Sequence, residues 1–208
     1  MKAKYINIHP LNPQANKIEE VVSYLRKGAV IIYPTDTVYG IGCDIHNQKA
    51  VERVCQIKNI NPSKINLSFI CYDLSHISEY TRNLPTPVFK LMKKSLPGPY
   101  TFILNAGGKV PKMLHTKKNT VGIRIPNHTI SRTIVKELGN PLLSTSVPMG
   151  DEVEYLSDPE FIFEKFEKLV DVVIDGGIGN IMPSTIIDCT SDAPVLIREG
   201  LGSIEGIF

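Results

Sequence analysis

Residues 29–44 read Ala-Val-Ile-Ile-Tyr-Pro-Thr-Asp-Thr-Val-Tyr-Gly-Ile-Gly-Cys-Asp. Ala29 to Tyr33 form a short continuous apolar run, the pattern of a buried strand. The run stops at Pro34 and passes into a segment dense in hydroxyls, Thr35-Asp36-Thr37-Val38-Tyr39-Gly40. A strand that delivers a polar loop at its carboxyl end is the way open α/β sheets present ligand sites. Thr35, Asp36, Thr37 and Tyr39 offer donors and acceptors for a small polar ligand. The same residues also suit a plain turn, with Pro34 and Gly40 as punctuation and Thr35 and Asp36 bonding their own backbone.

Outward from this stretch the pattern alternates. Residues 2–8 read as a strand, and a helix over 17–27, capped by Asn16, sets Ile18, Val21, Val22 and Leu25 on one face. Gly28 falls where a left-handed residue ends that helix. Asn47 opens a helix over 48–58, with Val51, Val54 and Ile57 inward. Further strands are expected at 66–72, 101–105, 120–125, 141–147, 172–174, 185–188 and 195–198. Helical patterns lie near 86–95 and 129–138, and Ser-Asp-Pro-Glu at 157–160 reads as a capping box opening another. The expected fold class is α/β: a single-domain twisted mixed sheet with helices on its faces. The domain is drawn over 10–200, with 1–9 and 201–208 as extensions.

A chain of 208 residues with 42% hydrophobic and 21% charged residues is long and apolar enough to bury a core. No apolar run is long enough to span a membrane, and MKAKYINIHP lacks the apolar region of a secretory signal. Cys43, Cys55, Cys71 and Cys189 are widely spaced with no CxxC, which argues against a disulfide framework or structural zinc and for a reducing, cytoplasmic setting. The net charge of +2 hides segregation: residues 1–79 balance at +2, 80–136 at +11 with no acidic residue, and 137–208 at −11. An acid-free stretch of this length favours an anionic partner such as phosphate or RNA. Any single lysine in it, such as Lys90 or Lys93, reads equally well as a solvated face.

Several chemistries are absent from the sequence. There is no P-loop, no GxGxxG after a strand, no GxSxG elbow and no HExxH; Gly-Gly-Ile-Gly-Asn at 176–180 is a glycine turn. The five histidines lack ligand-like spacing, and most read as surface residues. Arg124, in Thr120-Val121-Gly122-Ile123-Arg124-Ile125-Pro126, is the informative cation. By alternation it shares a face with Gly122 and Pro126, away from Ile123 and Ile125. An arginine among apolar neighbours is paired, either with a ligand carboxylate or phosphate or with an internal acid. Lys58 and Lys64 flank a loop after the second helix, where phosphate contact and helix-dipole complementation both fit. Ser144-Thr145-Ser146, Ser184-Thr185 and Arg198 sit at strand ends, as candidates for one cleft or as caps and turns.

Taken together, YPTDTVYGIGCD at 33–44, the helix ending at Lys58, LPGPYTFIL at 96–104, TVGIRIPNHTI at 120–130, PLLSTS at 141–146, STIID at 184–188 and LIREG at 196–200 resemble the YrdC/YciO family of threonylcarbamoyl-AMP synthases, closest to its YciO-like branch. The resemblance implies a YrdC-like sheet with a large electropositive pocket. It implies a nucleotidyltransferase that joins L-threonine, bicarbonate and ATP into threonylcarbamoyl-adenylate and pyrophosphate, for threonylcarbamoylation of adenosine 37 in tRNA. Thr37, Arg124, Ser146 and Ser184 would bind threonine, and Lys58, Thr120 and Arg198 would bind ATP, with Mg²⁺ on the phosphates. Thr35, Tyr39, Lys64 and Asn66 are further candidates. No catalytic general base and no protein metal ligand is assigned. The expected partners are the three substrates, RNA (tRNA or double-stranded) and tRNA-modification proteins, with no membrane.

The family's Lys-x-Arg reads Lys58-Asn59-Ile60 here, its Ser-x-Asn reads Ser146-Val147-Pro148, and its histidine after Asn-Pro-Leu reads Cys71. Those departures favour an alternative, a YciO-like RNA binder with weak or no synthase activity. A hydrolase or nucleotidyltransferase for another carboxylate-bearing metabolite is a third reading.

Overall fold

The computed structural model describes residues 2–60, 67–115, 118–148, 157–205 and 207. In chain order the strands are β1 (Lys4–Asn7), β2 (Ile31–Tyr33), β3 (Gly40–Asp44), β4 (Ser68–Ile70), β5 (Tyr100–Asn105), β6 (Thr120–Arg124), β7 (Leu142–Ser146), β8 (Val172–Asp175), β9 (Thr185–Asp188) and β10 (Val195–Arg198). The helices are α1 (Ala15–Arg26), α2 (Gln48–Lys58), α3 (Leu74–Ile77), α4 (Thr86–Ser95), α5 (Thr129–Leu138) and α6 (Pro159–Phe166). Among the described residues the strands form one mixed sheet in the order β1-β8-β2-β3-β7-β4-β6-β5-β9-β10. Residues 4–7, outside the 10–200 span, are its edge strand, paired parallel to β8.

Alternation along the central strands decides the architecture. Ile41, Cys43, Leu143, Phe69, Ile123, Phe102 and Ile187 point to one face and join the larger apolar cluster. Val51 and Val54 of α2, Ile77 of α3, Val88 and Met92 of α4, and Ile162 and Phe166 of α6 cover that face. The opposite face is covered over part of its width. There α1 and α5 pack through Ile18, Val21, Leu25, Ile130, Ile134 and Val135 on Ile6, Ile31, Tyr33, Val172 and Ile174. Beyond them the same face continues in register across Gly42, Ser144, Ser68, Gly122, Ile103 and Asp188. Small and polar side chains leave this half of the sheet without a helical layer, and a cleft lies over it.

Several local expectations hold. Asn47 caps α2 through its side chain, accepting from the Ala50 N–H. Gly28, with φ of 87°, lies just beyond α1 in a conformation that a Cβ disfavours. Others are corrected. Helix α1 starts at Ala15 with Gln14 at the cap position, so Asn16 lies within the first turn. Alanine, the strongest helix former, carries the helix past it. Asp158, not Ser157, caps α6: its carboxylate accepts from the Glu160 N–H, and Pro159 takes the first helical position, which needs no N–H. Strand β3 and the short helix α3 are additions to the sequence expectation. The two glycines of β3 hide its strand character, because glycine is depleted in strands.

All four cysteines are free and buried. His76 departs from the surface reading of most histidines: it is buried between Tyr72 and Tyr80, at ring-centroid distances of 4.6 and 5.4 Å. No helix among the described residues is long and apolar enough to cross a membrane.

A Cβ placed on Gly42 would lie 2.3 Å from the Leu143 carbonyl oxygen, so alanine there forces β3 away from β7. Gly42→Ala is expected to lower unfolding free energy by about 1–3 kcal/mol, the usual cost of overpacking, read from the urea midpoint.

Candidate functional site

The cleft over the half-covered face encloses about 100 Å³ and is lined by Thr37, Arg124, Ser144, Ser146, Ser184 and Arg198, with Ser68, Ile70 and Thr101 among its floor residues. The β2–β3 hairpin supplies Thr37, the end of β6 supplies Arg124, the end of β7 Ser146, and β10 Arg198. Gly40 pairs with Ser146, and Ser68 lies between Ser144 and Gly122. A Cβ on Gly122 would meet the Ser68 hydroxyl at 3.0 Å, so glycine keeps the floor low there.

Arg124 organises this end of the cleft. Its side chain is 10% exposed and pairs with Asp36, itself 11% exposed. The same Nη2 donates to the Thr37 hydroxyl at 2.7 Å and the Thr35 hydroxyl at 3.2 Å. Asp36 is held in turn by the Asn127 N–H at 3.0 Å. The internal acid that the sequence left open is therefore Asp36. Yet Arg124 is not exhausted: its Nε is buried and has no hydrogen-bond partner. Arginine has five donors, and a buried one without an acceptor is costly. Arg124 nonetheless lines the cleft, where its charge is available to a ligand.

Arg198 donates from Nη2 and Nε to the Ser184 carbonyl, at 2.7 and 3.1 Å. The hydroxyls of Ser184 and Thr101 are hydrogen-bonded to each other at 2.8 Å. Burial, and secondarily the like charge of Arg124, push the Arg198 pKa below its ordinary value. Two guanidiniums near enough to repel one another across a cleft favour an anion between them. Lys58 donates to the Ser146 carbonyl at 2.9 Å, at the edge of the same cluster, and burial lowers its pKa. Tyr33, fully buried beneath β3, donates to the Ser144 hydroxyl, and burial pushes its phenol up to about 12.

The structure thus gathers Thr37, Arg124, Ser146, Ser184 and Arg198 around one cavity and brings Lys58 to its margin. Thr120 lines an adjoining cavity of about 280 Å³, with Leu67, Ile103, Ile186, Ile197, Lys118 and Asp188; the two share Ser68, Thr101 and Ile186. Thr35 is committed internally, donating to the Val38 carbonyl at 2.8 Å. Tyr39 turns away from the cleft, its hydroxyl bridging the Gly177 carbonyl and the Gly176 N–H. Lys64 and Asn66 lie outside the described residues. Cys71 lies in the core and does not line the cleft. Ser68 and Thr101 escaped the sequence reading, although alternation along 66–72 and 101–105 places them on the face of Arg124.

Fold and site define a class: a mixed α/β protein whose half-open sheet carries a cleft of hydroxyls and guanidiniums suited to small anions. The profile of the Sua5/YciO/YrdC family, described as "Telomere recombination", matches residues 23–200, and the chain belongs to this family. It is 42% identical to "Uncharacterized protein YciO" of Escherichia coli (strain K12), over 98% of both chains. The crystal structure of E. coli YciO superposes with a TM-score of 0.93 at 40% identity, over 99% of this chain and all of that one. The chain is 30% identical to "Threonylcarbamoyl-AMP synthase" of Vibrio vulnificus (strain YJ016), over 89% of this chain and 99% of the relative. P. abyssi Sua5 complexed with L-threonine superposes at a TM-score of 0.83 and 26% identity, over 94% of this chain and 57% of Sua5.

The depressed Lys58 carries a stability signature. Its pKa when folded lies below 10.5, so between those values the unfolded chain binds more protons and stability rises with pH. Wild type is expected to gain stability relative to Lys58→Met as pH climbs toward 10.5, and Nζ-detected NMR should show Lys58 titrating below that value.

Proposed function

We propose that this protein makes threonylcarbamoyl-adenylate from L-threonine, bicarbonate and ATP, releasing pyrophosphate, to supply threonylcarbamoylation of adenosine 37 in tRNA. The observation that carries this reading is the convergence of Thr37, Arg124, Ser184 and Arg198 on one cleft, two guanidiniums set among hydroxyls. The likeness to threonine-bound Sua5 and to a named synthase supports the choice of amino acid.

Arg124 and Thr37 take the threonine carboxylate, while the hydroxyls of Ser146 and Ser184 orient its amine end. Arg198 and Lys58 neutralise phosphate charge. The adjoining cavity, with apolar walls from Leu67, Ile103, Ile186 and Ile197, suits the adenine ring, and Thr120 lines it. ATP enters with Mg²⁺ as substrate. Among the described residues no cluster of three or more His, Cys, Asp or Glu could hold a metal, and Mg²⁺ would arrive with the phosphates it neutralises.

The threonine amine takes up bicarbonate as an N-carboxylate with loss of water. A carboxylate oxygen then attacks the α-phosphorus, and the bond to pyrophosphate breaks. The described cleft lining is chiefly hydroxyls, guanidiniums and apolar side chains, so the protein contributes position and charge neutralisation. Pyrophosphate release from ATP is expected to require both threonine and bicarbonate, and Arg124→Ala to lower it by at least about a hundredfold, the cost of losing a charged ligand partner. Release that ignores threonine would refute the reading.

RNA binding is a second reading, favoured by a separate observation. Helix α4 exposes Phe89, Lys90, Lys93 and Lys94 on the sheet face opposite the cleft, in the acid-free 80–136 segment. Basic groups beside an exposed aromatic suit a phosphate backbone. Affinity for a tRNA transcript should fall steeply with salt, and a Lys90→Ala/Lys93→Ala variant should flatten the log–log slope by about one for each phosphate left without its lysine.

A further inference from the structure

The pairing of Asp36 has a consequence for how Arg124 meets its ligand. The described hydrogen bonds of Arg124 all leave through one nitrogen, Nη2, toward Asp36, Thr35 and Thr37. Asp36 is fixed independently, because the Asn127 N–H holds its second carboxylate oxygen at 3.0 Å. Its neighbours are fixed as well: the Thr37 N–H donates to the Thr35 hydroxyl at 3.1 Å, and that hydroxyl donates to the Val38 carbonyl. The guanidinium is thus clamped at one corner by a loop that cannot easily follow it. The buried Nε stays unpaired.

We propose that Asp36 is a positioning residue: it clamps Arg124 by Nη2 so that the guanidinium keeps one orientation at the cleft wall, where it meets the ligand carboxylate, and it cancels one unit of positive charge so that the phosphates are drawn to Arg198. This deepens the proposed function and rests on it for the identity of the ligand. The charge argument is independent of that identity. Arg198 already feels the repulsion of Arg124. A carboxylate beside Arg124 reduces that repulsion and gives the cleft two unequal cationic ends. The paired end suits a single carboxylate. The other end has no acidic partner among the described residues and suits a polyphosphate. Without Asp36 both ends attract the more highly charged ligand, and the guanidinium can rotate to meet it.

The consequence separates positioning from folding. Asp36→Asn keeps the side-chain shape and an oxygen acceptor but removes the charge. It is expected to weaken L-threonine binding about tenfold or more, measured by calorimetry on the full chain, while ATP affinity holds or tightens. Asp36→Glu, which restores the charge, should recover part of the threonine affinity. A second readout needs no ligand: the Arg124 Nε–H should give a sharp, slowly exchanging resonance in the wild-type ¹⁵N spectrum and lose it in Asp36→Asn. Threonine and ATP affinities that fall together with the melting temperature, or a threonine affinity and Nε–H signal untouched by Asp36→Asn, overturn the positioning role. A wild type that binds no threonine while Asp36→Asn still erases the Nε–H signal overturns the proposed function and leaves the clamp standing.

Discussion

The two-residue period of the central strands is the constraint on which everything else rests. In β3, β4, β6 and β7 one set of alternating positions carries Ile41, Cys43, Phe69, Val121, Ile123 and Leu143, while the other carries Gly40, Gly42, Ser68, Gly122, Arg124, Ser144 and Ser146, with Ile70 and Leu142 as its apolar exceptions beside α1 and α5. The first set recruits four helices and forms the larger core. The second set offers little area to bury, so α1 and α5 settle where Ile31, Tyr33, Val172 and Ile174 continue the apolar surface. The cleft is what remains of a sheet face that lacks the hydrocarbon to attract a layer. Slipping any of these strands by one residue would expose Phe69 or Ile123 and bury Arg124 in the core, so register is strongly specified.

Arg124 is the point where folding and ligand chemistry meet. A guanidinium this deeply buried is tolerated because Asp36 compensates it, and a buried pair is worth little net once both groups have lost their water. The pair is better understood as geometry than as stability. It ties the hairpin after β2 to the turn after β6, two segments far apart in the chain. The strand order brings them together because β3, β7, β4 and β6 lie side by side.

Much of this was legible in the residues. The apolar run before Pro34, the glycine after α1 and the oddity of an arginine at position 124 each follow from local physics, and each stands where it was expected. What escaped was non-local. Strand β3 is written in glycines whose purpose is to pass close to Tyr33 and the Leu143 carbonyl, and such close passage leaves no mark in propensity. The acid paired with Arg124 lies 88 residues away in sequence, and nothing local to either residue names the other. Tyr39 looked like part of a hydroxyl-rich ligand loop, but its hydroxyl serves the glycine turn at Gly176 and Gly177. The lysines of α4 share a charge block with Arg124 and still end on the far side of the sheet, because a helix packs by its apolar stripe wherever its charges would prefer to be.

Gly40 in the cleft and Gly122 in the adjoining cavity bear on how these cavities can change. Main chain has no rotamers, so where a glycine forms the base the cavity cannot reshape itself around a different guest. Novelty has to enter at the walls: the loop from Gly176 to Pro183, the neighbourhood of Lys58, and the outer strand bearing Arg198. Members of one family could then share the same basin and diverge in chemistry by editing its shoreline.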